Sequence, residues 1–132
     1  MSSPEYLLDT NILIEAFLGI EPAAYVTRNL IGEGKISFSV ITIAEFLSKA
    51  ARQEAESFKA LIKVFGVLPV DYDIAVIAAN YRKMVLKKTK RAFLADCLIA
   101  DTAKFYDLRL VTHNISDYPM KDIKVLKPDM VK

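Results

Sequence analysis

Short apolar runs alternate with amphipathic helices along the whole chain, and that order constrains the fold more than any other feature. Leu7-Leu8 opens as a strand, and an apolar helix follows it to about Gly19. Glu21-Pro22 reads as the first turn of a second helix, where proline is tolerated, and this helix runs to about Glu33 before the Gly32/Gly34 break. Ile36 to Val40 is a strand by its apolar and β-branched bias. From Thr42 a helix follows, with Ile43, Phe46, Leu47 and Ala50 on one stripe; Phe58, Leu61, Ile62 and Phe65 repeat the spacing. Gly66 to Val70 is a brief extended link whose Pro69 disfavours a central strand position. Ile74, Ile77, Ala78, Tyr81 and Val85 mark another helix. The segment Leu94 to Tyr106 is apolar enough to be buried on more than one side. Leu108 to Thr112 and Ile123 to Leu126 are the remaining strands. Strands joined through helices pair in parallel, with helices on both faces. The expected fold class is therefore α/β, a three-layer α/β/α sandwich with a central parallel sheet. With 132 residues and no linker, repeat or low-complexity segment, residues 1–132 form a single domain.

Polar residues interrupt this pattern at one edge. Asp9 ends the first strand, and Glu45 lies in the first turn of the helix after the second. Asp96 is near the start of the helix leading into Leu108–Thr112, and Asp117 follows that strand by a few residues. In a right-handed βαβ arrangement these places lie together at the carboxyl edge of the sheet, where open α/β sheets put their sites. Taken singly, each acid has an ordinary structural role. Asp9 or Thr10 can cap a helix, Glu45 and Asp96 complement a helix N-terminus, and Asp117 belongs to a Ser116-Asp117-Tyr118-Pro119 turn. Together they repel one another unless a cation intervenes. An oxygen donor set without an imidazole or thiolate cluster suits Mg²⁺ or Mn²⁺. Such an ion can polarise a phosphodiester and lower the pKa of bound water.

Asp9-Thr10-Asn11, the run Ser39 to Glu45, Asp96-Cys97-Leu98-Ile99-Ala100, and Thr112-His113-Asn114 with Asp117-Tyr118 resemble, in this order and spacing, a PIN-domain ribonuclease. The small size is similar to the VapC-type toxin of a toxin–antitoxin pair. The resemblance implies a PIN-like fold and an acidic metal site of Asp9, Glu45, Asp96 and Asp117. Asp9 and Asp96 would hold the ion directly, helped by Glu45, with Asp117 acting through water or at a second site. Asn11 would orient Asp9 or a bound water, and Thr10, Ser39, Thr42, Thr112 and Asn114 would hold the carboxylates in place. It further implies Mg²⁺- or Mn²⁺-dependent endonucleolytic cleavage of RNA, a cognate antitoxin, and a homodimer.

Two residues depart from the family pattern. His113 stands where arginine is common, and it reads as a solvated turn residue or a candidate RNA contact. Asp101 replaces a small apolar residue and lies roughly 140° around the helix from Asp96, which makes it a surface or partner-facing acid. Cys97 is a small buried side chain.

The net charge of +2 gives no whole-surface attraction to nucleic acid, but Lys87, Lys88, Lys90 and Arg91 crowd into one run. These four are candidate phosphate contacts flanking the acidic pocket. One cysteine excludes an intramolecular disulfide framework and fits a reducing cytoplasm. There is no leader and no apolar run of about 18 residues, so no membrane role is expected. The 53% apolar content points to a surface for a protein partner, with Ile12 to Leu18 and Phe46 to Phe65 as candidates. A competing reading is a silent or RNA-processing PIN domain that binds without cutting. A phosphatase with an aspartyl nucleophile is disfavoured, because Asn11 stands where its second aspartate belongs. No G-x-G-x-x-G exists for dinucleotide binding.

Overall fold

A computed structural model describes residues 4–88 and 92–131. Its elements are β1 (Tyr6–Leu8), α1 (Thr10–Phe17), α2 (Ala23–Gly32), β2 (Ile36–Ser37), α3 (Val40–Lys49), α4 (Arg52–Phe65), α5 (Tyr72–Lys88), α6 (Leu94–Phe105), β3 (Arg109–Val111) and β4 (Val125–Leu126). Two 3-10 turns, Ile115–Asp117 and Pro128–Met130, complete the order. The four strands pair in parallel in the order β2-β1-β3-β4, with Leu7 opposite Ser37 and Leu110.

Successive strand side chains point to opposite faces, and two cores follow from that alternation. Tyr6, Leu8 and Val111 pack on one face with Ile12, Leu13, Leu30, Phe46 and Phe58 from α1 to α4. Leu7 and Leu110 pack on the other with Ala78, Tyr81, Ile99 and Ala100 from α5 and α6. The expected α/β/α layering is therefore present. Aromatic rings knit the first core: Phe46 and Phe58 have centroids 4.5 Å apart, Phe17 and Phe46 4.9 Å, Phe38 and Phe58 5.1 Å. Tilted and edge-on pairs like these contribute about 0.5–1.5 kcal/mol each beyond burial.

Three expectations change. The second strand is two residues long rather than five, and α3 begins at Val40 instead of Thr42. The cause is Ser39, whose Oγ accepts the Ile41 N–H at 3.1 Å and so caps a helix. The Gly66–Val70 link adds a single parallel bridge, Leu68 to Ser39, beside β2. The third change concerns the expected partner surfaces. Ile12, Leu13, Phe46 and Phe58 are buried in the aromatic core, because these helices lay their apolar stripes on the sheet. Leu18 and Val64 are the exposed exceptions in those segments, and other exposed apolar side chains include Tyr72, Val76, Met84 and Leu86 of α5. Among the described residues no helix is long and apolar enough to cross a membrane.

Candidate active site

The site is built where α1, α3 and α6 begin. Asp9 leaves β1 with its N–H bonded to the Val111 carbonyl at 2.9 Å, which fixes it between β1 and β3. Its Oδ1 accepts the Thr10 N–H at 2.7 Å and its Oδ2 accepts the Thr112 hydroxyl at 2.8 Å. Thr112 is itself oriented, because its Oγ1 accepts the Asn114 N–H at 3.1 Å. The Asn114 backbone thus supports Asp9 through Thr112. On the neighbouring side the Thr10 hydroxyl donates to Glu45 Oε1 and stands 3.5 Å from the Thr42 hydroxyl. Ser39 and Thr42 are fully buried there, so the threonine and serine positions anchor the helix starts from inside.

Asp96 lies in the first turn of α6. Burial first, then the charges of Asp9, Asp117 and Glu45, push its carboxyl up to about 6. Asp9, Asp117 and Glu45 thus all lie within electrostatic reach of Asp96. Asp9 is also raised, chiefly by burial, while its bonds to Thr112, Thr10 and Tyr118 draw it back. Asp117, in the 3-10 turn, is exposed and shares with Asp96, Asn114, Ser116 and Phe93 a cleft of about 420 Å³.

Sequence reasoning gave Tyr118 no role of its own, yet it is buried and its hydroxyl donates to Asp96 Oδ1 at 3.4 Å. Burial and the charges of Asp9 and Asp96 push its phenol far above its usual range, so it stays a donor. Its place next to Asp117 was the only signal, since a turn carries no periodicity from which burial can be read.

Other expected site residues take different places. Asn11 is exposed and makes no hydrogen bond to Asp9 among the described residues; Thr10 and Thr112 hold Asp9 instead. His113 Nε2 lies 2.7 Å from Glu15 Oε1 of α1, with both side chains partly open to solvent. Lys87 and Lys88 are exposed at the end of α5, whose Val85 lines the acidic cleft. Lys90 and Arg91 lie outside the described residues. Cys97 is buried, and burial raises its thiol. Asp101 is a correction. Instead of facing solvent or a partner it is completely buried, and neither carboxylate oxygen has a hydrogen-bond partner among the described residues.

Among the described residues no three acidic, histidine or cysteine side chains close around one point as a ligand set. The chemistry of the donors nevertheless suits a hard divalent ion. They are all carboxylates, and their repulsion adds to burial in raising Asp96.

This parallel sheet with acids gathered at its carboxyl edge defines a class. The PIN-domain family model matches residues 6–119, and the chain belongs to that family. Among its relatives, Ribonuclease VapC10 of Mycobacterium tuberculosis is 30% identical over 122 residues, covering 92% of this chain and 90% of that protein. A toxin-antitoxin complex from Klebsiella pneumoniae contains a chain 26% identical with a TM-score of 0.70, covering 94% of this chain and 98% of that one. The DNA-bound VapBC from Salmonella typhimurium shares the fold, with a TM-score of 0.78 at 21% identity over 95% of this chain and 98% of its own.

Proposed function

We propose that the chain is a Mg²⁺- or Mn²⁺-dependent endoribonuclease, the toxin of a toxin–antitoxin pair. It would work in the cytoplasm as a homodimer and be restrained by a cognate antitoxin protein. The observation that carries this reading is the placement of Asp9, Glu45 and Asp117 within electrostatic reach of Asp96, whose carboxyl is pushed up to about 6 by burial first and then by those three charges. The likeness to Ribonuclease VapC10 and to a chain of a toxin-antitoxin complex supports the substrate and the partner.

Asp9 and Asp96 would hold the divalent ion, helped by Glu45, with Asp117 acting through water or at a second, weaker site. When bound, that ion supplies Lewis-acid polarisation of the phosphodiester and a lowered pKa for water. The chain's own groups prepare this. Thr10 and Thr112 fix the Asp9 carboxylate, and Thr10 also holds Glu45, so two ligands are set by one helix start. Tyr118 keeps a proton between Asp9 and Asp96 and favours their ionised forms. Lys87 and Lys88, with Lys90 and Arg91 that follow them in the sequence, would offset the repulsion that bare acids exert on a polyanion.

The test is cleavage of a structured RNA by purified protein with Mg²⁺ or Mn²⁺. The expected result is endonucleolytic products that chelation abolishes. Asp9→Asn should leave the fold intact by circular dichroism and remove cleavage. A folded wild-type protein that binds RNA without cutting it would instead support the silent, binding-module reading.

A further inference from the structure

Three helices start at the carboxyl edge, and two of them begin as helix chemistry prefers. Asp9 accepts from Thr10 N–H at 2.7 Å and Ser39 from Ile41 N–H at 3.1 Å. The third, α6, has Phe93 in the capping place, with φ −86° and ψ 129° and no side-chain cap. An aromatic ring cannot accept the orphan amide hydrogens of a helix start, so helix formation does not select phenylalanine there. Core packing does not select it either, because Phe93 is 53% exposed while Cys97, Ile99 and Ala100 of the same helix are buried. Yet Phe93 lines the same cleft as Asp96 and Asp117. An aromatic ring half open to solvent at the edge of this cleft is placed to meet what enters it.

We propose that Phe93 is a stacking platform for an unpaired base of the RNA next to the phosphodiester that is cut. This rests on the ribonuclease reading. A nucleotide has two chemically distinct parts to be held, and the cleft offers a counterpart to each. The carboxylates, with a divalent ion bound, would suit the phosphate, and the exposed Lys87 and Lys88 suit flanking phosphates. Phe93 presents an apolar face to the flat, uncharged base. A base inside a duplex has both faces covered by its neighbours, so a ring at this place favours unpaired nucleotides.

The experiment separates binding from cleavage. Asp9→Asn protein, checked for folding by circular dichroism, is titrated with a single-stranded RNA oligonucleotide carrying a fluorescent purine analogue, and with a blunt duplex. Binding of the single strand should quench the analogue. Adding Phe93→Leu, which keeps apolar bulk but loses the ring, should weaken single-strand binding at least about fivefold and abolish the quenching. Phe93→Tyr should retain both, and duplex binding should be the same in all. In the cleaving protein, Phe93→Leu should raise KM more than it lowers kcat. If Phe93→Leu binds and quenches like its parent while the wild type still cleaves RNA, the stacking role is wrong and the nuclease reading stands. Equal loss on single strand and duplex also overturns it. If the folded wild type neither cuts nor binds RNA, both ideas fall together.

Discussion

Asp96 and Asp101 sit on one helix, five residues apart, and burial pushes both carboxyls up to about 6. Their surroundings differ. Around Asp96 stand three further acids and a phenol that donates to it. Around Asp101 no donor reaches either oxygen among the described residues. Lys104, one turn on, is the main group that opposes its raised pKa, but that ammonium is bonded to Asp122 at 2.7 Å. Asp122 is also held by Tyr81 at 2.8 Å, so the nearby donors are already engaged. A raised carboxyl therefore does not by itself mark a site. What separates these two is company: neighbouring acids beside an open cleft, against a single buried charge with none.

The largest effect that sharpens this contrast is on cleavage. Asp96→Asn is expected to lower the rate at least about a hundredfold, the cost of losing roughly 3 kcal/mol of charge stabilisation at the reacting phosphate. Asp101→Asn touches no reacting group, and its rate should stay within about twofold of wild type. Comparable losses in both variants, measured on one RNA at one Mg²⁺ concentration, would break the distinction.

Stability should show the reverse order. The folded-state pKa of Asp101 lies above its unfolded value, so the folded chain binds more protons than the unfolded one between about pH 4 and 6. Its contribution to stability is thus full below pH 4 and is lost as pH rises through about 6. Asp101→Asn removes the buried charge, and urea unfolding should find it more stable than wild type by about 1–2 kcal/mol at pH 7.5. At pH 4 the two should unfold together. A gain independent of pH would show that something other than ionisation burdens this position.

A divalent ion should relieve Asp96 and leave Asp101 alone. Thermal unfolding with Mg²⁺ at about ten times its Kd is expected to show stabilisation of about 1.4 kcal/mol near pH 7.5. The gain should shrink as pH falls through about 6, where Asp96 takes up its proton. Asp101→Asn should keep the whole Mg²⁺ effect and Asp96→Asn should lose most of it.

Asp96 was legible in the sequence because its neighbours share a topological address. Asp9 and Asp117 follow strand ends and Asp96 opens a helix, and a parallel sheet brings those places together. Glu45, expected in the first turn of its helix, lies beyond it because α3 starts at Val40. Asp101 was misread for the opposite reason. Charge and helical angle suggested a solvent face, but α6 is packed by the sheet and α5 and buries Asp101 along with Ala100, Thr102 and Ala103. The apolar stripe of Phe46 and Phe58 was legible from spacing, but not that it faces the core rather than a partner, and the ends of β2 and α3 were not legible either. Ser39 is as compatible with a strand as with a cap until its side chain is seen to bond Ile41.

The smallest effect probes Tyr118, which supplies the donor that Asp101 lacks. Its 3.4 Å bond to Asp96 is long, so the Tyr118→Phe change should cost only about three- to tenfold in cleavage, less than a full bond to a charged group. Its sign on ionisation is the sharper measure. A donor to a carboxylate favours the charged form, so removing it should move the Asp96 titration further up from about 6. Carbon-detected NMR of the aspartate carboxyls, without divalent ions, would follow this directly. Asp101, beyond the reach of that hydroxyl, should titrate as before. An unmoved Asp96 in the Phe variant would mean that Tyr118 only fills space between the acids. An upward shift would identify its proton as what keeps Asp96 nearer the ionised state that metal binding requires, which Asp101 has no means to reach.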